Sequence, residues 1–251
     1  MLGLTNRILK NQAKKILTGV PIDENKYSEI KEKTEWVGIP VAPEFRNVSE
    51  AEQRKLKRSL GFLPDKNLVV VTGGSQGSEH INTAIGQILP KLLEKTSVGL
   101  VAGRRYYDEM LDLKRFEKWE NAKLISDFRM WNFSSKMDEI LGAADLIVSR
   151  AGATTIAELA SLKKAVILVP FEKLPGGHQT KNAESLVRQG AVEMVLDSKM
   201  EERATILLHK IVKLLESKEK RESLATNLHK LQKRDATRRV AEILITEARK
   251  K

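Results

Sequence analysis

The sequence predicts an α/β protein: a Rossmann-like parallel sheet with helices on both faces, followed by a helical C-terminal extension. Three observations carry that reading. Between Leu68 and Leu196, short β-rich runs alternate with helix-like segments, the rhythm of a parallel sheet covered on both sides. Two apolar runs, ending near Thr72 and Ser149, pass through loops of small residues straight into helix-like stretches. Beyond residue 200, leucines recur at helical spacing instead.

In chain order, residues 1–60 contain no complete domain and read as the remnant of an N-terminal lobe with a linker. They hold a basic amphipathic start with Leu2, Leu4, Ile8 and Leu9, apolar pieces at Ile16-Leu17 and Trp36-Val37, and a charged linker-like stretch from Arg46 to Arg58. With Arg7, Lys10, Lys14 and Lys15 beside the leucines, residues 1–15 suit a membrane-surface helix or an ordinary packing helix; short length and lack of aromatics favour packing. Residues 61–200 form the Rossmann-like domain. Its strands are expected at Leu68 to Thr72, Val98 to Ala102, Lys123 to Ile125, Leu146 to Ser149, Ala165 to Val169 and Val192 to Leu196. Helices are expected at Glu79 to Leu93, Tyr106 to Glu117, Met137 to Gly142, Thr154 to Ser161 and His178 to Gln189. Residues 201–251 form the C-terminal helices, with Leu207, Leu208, Ile211, Leu214 and Leu215 in one periodic set and Leu224, Leu228 and Leu231 in the next.

Composition narrows the function classes. A chain of 251 residues, 41% hydrophobic, can bury one solid core, and it has no apolar run near the ~20 residues a bilayer span needs. No signal-peptide core follows the N-terminus, so a cytosolic or membrane-peripheral protein is expected. Without cysteine there are no disulfides or thiolate metal sites, and His80, His178, His209 and His229 lack ligand-like spacing, so no structural metal is expected. The net charge of +11 suits nucleic acid, an anionic membrane or a polyphosphate ligand. Aromatics at 5%, with no basic-aromatic platform, argue against nucleic acid.

Three loops carry the chemistry. In Ser149-Arg150-Ala151-Gly152-Ala153-Thr154-Thr155-Ile156-Ala157-Glu158, a small-residue turn opens a helix whose first N–H groups and dipole favour an anion. Glu158, about one turn in, would repel phosphate and is suited to accepting hydrogen bonds from sugar hydroxyls. In Gly73-Gly74-Ser75-Gln76-Gly77-Ser78, glycines permit positive φ while backbone N–H groups and the Ser75 hydroxyl can cradle an anion. That stretch also fits the G-x-S-x-G of hydrolases, but no acid and histidine follow in the required order, and no Gly-Lys-Ser/Thr makes it a P-loop. In Val169 to Ala183, a Pro/Gly-punctuated loop brings His178 and Gln179 to a helix start; an amide that donates and accepts suits vicinal hydroxyls, and capping or loop packing is the alternative. Loops at the carboxyl ends of strands in one sheet converge on one crevice.

These phrases together, with V-P-F at 169–171 and H-Q-T-K-N-A at 178–183, resemble the C-terminal, donor-binding half of the MurG family of glycosyltransferases, family 28, from about Gly3 to near the C-terminus. The resemblance implies the C-terminal lobe of a GT-B fold and transfer of GlcNAc from UDP-GlcNAc to lipid I, the lipid-linked muramoyl-pentapeptide, without a metal or other cofactor. By the same resemblance Ser75, with Gly74 and Gln76, would contact the donor phosphate. Ala153, Thr154, Thr155, Ile156, Ala157 and Glu158 would line the nucleotide, with Glu158 on the ribose, and Gln179 with His178 would hold the GlcNAc hydroxyls. Phe133 to Met137 resembles the uracil-side segment more loosely, placing Ser134 there. A location on the cytoplasmic face of the membrane follows from the lipid acceptor.

Two departures stand out. Met1 to Arg7 resembles a phrase near the end of the family's N-terminal lobe, which implies that nearly all of that lobe, with the acceptor surface and the catalytic base, lies outside this chain. A truncated gene product, a split enzyme with a separate N-terminal-lobe chain, and a recruited non-catalytic UDP-sugar-binding module are all compatible with that, as is a sugar-nucleotide epimerase on the same fold. Where the family often reads G-N-P-V-R, this chain has Gly38-Ile39-Pro40-Val41-Ala42; Arg46 is the nearby candidate to replace the diphosphate arginine.

Overall fold

A computed structural model of the chain describes residues 4–21, 27–74, 76–112, 127–173, 177–233 and 235–250. The described chain divides into two compact units, residues 43–231 and residues 1–42 with 232–251. These units cut across the three segments read from sequence. The charged stretch before residue 60 contributes a helix to the larger unit, as do the leucine-periodic helices up to residue 230.

The larger unit is built on a six-stranded parallel sheet. Its strands are β3 (Leu68–Thr72), β4 (Ser97–Val101), β5 (Phe128–Trp131), β6 (Leu146–Ser149), β7 (Ala165–Leu168) and β8 (Glu193–Met194), in the spatial order β5-β4-β3-β6-β7-β8. Central strands are buried throughout and mostly apolar because helices cover both faces. Alternation assigns each side chain to a face: Val69, Val71, Leu146, Val148 and Ile167 enter one core with helices Glu79–Leu93 and Thr205–Leu215. Leu68, Val70, Ile147, Val166 and Leu168 enter the other, with helices Met137–Ala143 and Ala153–Leu162. Registers Val69↔Leu146 and Val71↔Val148 keep like-facing residues adjacent across β3 and β6.

The amino ends of these strands are locked by a polar clamp. Ser49 caps helix Glu50–Ser59 by accepting from the Glu52 N–H, and Lys57 on that helix is buried. Its Nζ donates to Asp145 Oδ2 at 2.6 Å and to the Lys66 carbonyl at 2.8 Å. Asp145 also accepts from the Leu68 N–H at 2.8 Å and from Gln53 Nε2 at 3.1 Å. A stretch that reads as a linker by charge is therefore a helix fastened to β3 and β6 by one carboxylate.

Most elements fall within a residue or two of their expected positions, and the strands at β3 and β6 coincide with them. The expected strand at Lys123 to Ile125 lies outside the described residues; the strand beside β4 is β5. The helix expected from Tyr106 to Glu117 is described as Tyr107–Asp112, and the remainder also lies outside the described residues.

In the smaller unit, β1 (Ile16–Thr18) and β2 (Thr34–Trp36) pair in parallel. Arg239 on helix Ala236–Ala248 donates through two nitrogens to Glu35, and Lys233 lies 5.0 Å from the centroid of the Trp36 ring. Ile30 and Val37 are buried.

Removing one partner of a desolvated ion pair leaves an uncompensated charge, so Asp145→Ala is expected to cost about 3 kcal/mol in urea unfolding. The substitution strands the Lys57 ammonium and leaves the carboxyl ends of the strands untouched.

Candidate functional site

The sheet reverses its winding between β3 and β6. From β3 the chain moves outward through β4 and β5, then returns to the other side of β3 and continues through β7 and β8. Ligands of open α/β sheets bind outside the carboxyl ends of strands at such a reversal. The loops there are residues 73–78 after β3 and 150–152 after β6.

The first loop is shaped by glycine. A Cβ on Gly73 would overlap the Ser78 nitrogen, and one on Gly77, at φ 73°, would overlap the Ala102 carbonyl oxygen. Gly103, at φ 90°, would meet Gly77 Cα at 2.6 Å, so the loops after β3 and β4 touch backbone to backbone. Gly74, at φ 81°, has nothing within 4 Å of a built Cβ; the backbone angle alone favours glycine there. Gln76 is exposed beside it, and Ser75 lies outside the described residues.

After β6, helix Ala153–Leu162 starts from Gly152, which supplies no capping side chain. Its first intrahelical bond is Ile156 N–H to the Gly152 carbonyl at 2.9 Å, which leaves the N–H groups of Ala153, Thr154 and Thr155 ahead of the ladder. Gly152 has an ordinary φ of −68°, and a Cβ there would meet only Thr155 Oγ1 at 3.7 Å. Nothing within the described chain demands glycine at this position. Further along, Glu158 is half-buried with no hydrogen-bond or ion-pair partner among the described residues, and burial raises its carboxyl above the ordinary range. Ile156 and Ala157 are partly buried; Ile156 packs against the core and the Ala157 carbonyl accepts from Ser161.

Arg150, between strand and helix, is a structural cation. It is 8% exposed, and its Nη1 donates to Asp197 Oδ1 at 2.6 Å and to the Val169 carbonyl at 3.2 Å. Nη2 donates to Ser78 Oγ at 2.6 Å, and the guanidinium carbon lies 5.2 Å from the centroid of the Phe171 ring. The second Asp197 oxygen is 2.8 Å from His80 Nδ1. One buried pair thereby joins the segments that follow β3, β6, β7 and β8. Asp197 and His80 are the members with no motif around them in the sequence.

The third loop is tied to the same frame. Gln179 Oε1 accepts from the Phe171 N–H at 3.0 Å, and Asn182 Nδ2 donates to the Ala151 carbonyl at 3.4 Å. The Gln179 amide nitrogen has no protein partner among the described residues. His178 is exposed at the start of helix His178–Arg188, which begins from Gly177 without a side-chain cap. At the far end of the sheet, Ser134 Oγ accepts from the Lys136 N–H at 3.0 Å, and the neighbouring Phe133 carries the Arg104 guanidinium 4.5 Å from its ring centroid. Arg104 and Arg105 are exposed just past β4, a Gly-Arg-Arg signal that sequence reasoning passed over. Arg46, an exposed side chain, pairs with Glu52 at 2.6 Å, on the helix that clamps the opposite end of the sheet.

Comparison with known proteins bears on the family and the fold. The glycosyltransferase family 28 C-terminal domain matches residues 68–240. The chain is 37% identical over 205 residues to the UDP-N-acetylglucosamine–N-acetylmuramyl-(pentapeptide) pyrophosphoryl-undecaprenol N-acetylglucosamine transferase of Leuconostoc citreum, covering 81% of this chain and 53% of that one. It is 31% identical over 243 residues to the transferase of the same name from a Thermoanaerobacter species, covering 96% of this chain and 64% of the relative. The crystal structure of Acinetobacter baumannii MurG superposes with a TM-score of 0.69 at 21% identity, over 98% of this chain and 64% of that one. The chain thus spans about half to two thirds of the length of these relatives.

Two outcomes follow from the geometry. Arg150→Ala and Asp197→Ala should each cost about 3–5 kcal/mol in urea unfolding, and Arg150→Lys should not restore stability, because one ammonium cannot reach both Ser78 and Asp197 as the guanidinium fork does. For Glu158, a folded-state pKa raised by burial gives stability that is complete below the unfolded value and is lost as pH rises through the folded one. Glu158→Gln should therefore raise the Tm at pH 7 and leave it unchanged in acid, as thermal denaturation at the two pH values would register.

Proposed function

The chain belongs to glycosyltransferase family 28, and we propose that it forms the donor-binding lobe of an inverting transferase that moves GlcNAc from UDP-GlcNAc to lipid I, giving lipid II for peptidoglycan. The observation that carries this reading is one helix at the winding reversal. It presents uncapped N–H groups at its start and, between one and two turns in, a half-buried carboxylate with no protein partner among the described residues. An anion and a hydroxyl-bearing ring held side by side complete both halves of that arrangement, and a nucleoside diphosphate offers both.

In this mechanism the muramoyl 4-hydroxyl oxygen attacks the anomeric carbon as its proton passes to a general base that the family resemblance puts outside this chain. The bond from that carbon to the β-phosphate oxygen breaks, its electron pair stays on UDP, and the configuration inverts. The N–H groups at Ala153 to Thr155, the helix dipole, and the loop at 73–78 with Ser75 would stabilise the charge that develops on the leaving group. Glu158 would accept from the ribose hydroxyls. Gln179, its Oε1 engaged by Phe171, would turn its amide N–H groups to the GlcNAc hydroxyls, with His178 beside it. No general base is assigned within the described residues. A lipid-linked acceptor would put the reaction at a membrane surface, and the family resemblance points to its cytoplasmic face. A net charge of +11 suits an anionic surface, to which a basic residue lying directly against it contributes about 1 kcal/mol. No helix among the described residues is long and apolar enough to cross a membrane.

Isothermal titration with UDP-GlcNAc tests the assignment. Glu158→Ala and Gln179→Ala are each expected to weaken binding about tenfold or more, and unchanged affinity in both would sink it. Gly152→Ala separates ligand from scaffold. Because the described chain leaves room for that methyl group, stability should stay within about 0.5 kcal/mol while UDP affinity falls.

A further inference from the structure

A second cavity lies at the amino ends of β3, β6 and β7, with no residue in common with the loops above. Its volume is about 340 Å³, and its walls are helices Glu50–Ser59 and Lys218–Lys230 together with the residues leading into those strands. A charge inventory of the lining gives an imbalance. Arg54 pairs with Asp65 at 2.9 Å and Lys57 with Asp145 at 2.6 Å. Lys218 pairs with Glu50 at 2.9 Å and reaches Glu222 at 3.7 Å, while Arg221 donates to the Leu214 and Leu215 carbonyls. Each carboxylate of the lining is thus engaged, and two lysines are left over. Lys163 is exposed, at φ 53° just past helix Ala153–Leu162; Lys164 is only 8% exposed. Neither has a hydrogen-bond or ion-pair partner among the described residues.

A buried ammonium without a partner is costly, and the cavity leaves open the space where one would sit. The unmet capacity is entirely donor and positive, so its complement is an oxyanion. Two uncommitted cations match the double charge of a phosphate better than the single charge of a carboxylate. We propose that this cavity is a second anion site, which binds the phosphate group of a small metabolite or free phosphate through Lys164 in its wall and Lys163 at its mouth. Burial and the nearby Lys57 hold the Lys164 amine down to about 8 against the opposing pull of Asp145. Binding therefore takes up a proton and weakens as pH rises through that value.

The test is titration of the intact chain, its crevice filled with saturating UDP, with inorganic phosphate, glycerol phosphate and sulfate in separate arms, followed by amide NMR. Millimolar ligand should shift the signals of Lys164 and Ala165. Tighter binding of glycerol phosphate identifies a phosphorylated metabolite as the source, and tighter binding of inorganic phosphate identifies the free ion. Sulfate, which does not titrate near neutrality, should bind more weakly above pH 8 than below it, isolating the lysine's proton. Lys164→Met removes a buried charge and should keep both the fold and UDP binding while weakening the phosphate response about tenfold to a hundredfold. No response in the unsubstituted chain, or an equal response in Lys164→Met, would overturn the proposal.

Discussion

The buried pair of Arg150 and Asp197 is the constraint on which the crevice depends. Taking both charges out of water costs several kcal/mol per ion, and only a dense set of hydrogen bonds makes the arrangement tolerable. The guanidinium meets that demand by spreading its donors over Asp197, Val169 and Ser78, with the Phe171 ring near the same group. Each bond fastens a different loop. Positions that would otherwise be set by four separate turns are set together by one planar group, and Asp197, at the first turn of its own helix, gains from that helix's dipole as well.

The two ends of the sheet are built from the same materials for different ends. At the amino end, Asp145 collects Lys57, Gln53 and the Leu68 N–H, and so holds a covering helix to the central strands. At the carboxyl end, Arg150 collects loops. Between them the alternating side chains of β3, β6 and β7 fill two cores, so neither polar cluster has to supply the bulk of stability. This division leaves backbone N–H groups and one carboxylate at the crevice without partners among the described residues. A self-sufficient fold would have satisfied them.

Much of this was legible in the residues. The run Leu68 to Thr72 and the helix from Glu79 to Leu93 stand where apolar periodicity places them, because local pattern and burial agree there. The small-residue loops also announced themselves, since glycines clustered where an apolar strand meets a helix mark a turn of special backbone geometry. What escaped was set by tertiary partners. The helix Glu50–Ser59 looked like a charged linker because its buried face carries Lys57 and Gln53, which are polar yet satisfied by residues some ninety positions away. Asp197 sits in an ordinary Leu-Asp-Ser stretch, and only the three-dimensional return of the chain shows it facing Arg150. Arg46 was a candidate by proximity in sequence, and its pairing with Glu52 had no signal there.

The strand order also governs how the crevice comes into being. The registers that bring its two loops together pair Val69 with Leu146 and Thr72 with Ser149, and the Asp197 that pins them arrives later still. Pairings this far apart in sequence are slow to form, because a long loop must close before any contact rewards it. A chain emerging from the ribosome completes β3, β4 and their covering helix well before β6 exists, and it carries the glycine-shaped loop without its Arg150–Asp197 pin until Asp197 has been made. Assembly of the crevice is thus a late event in the life of the nascent chain.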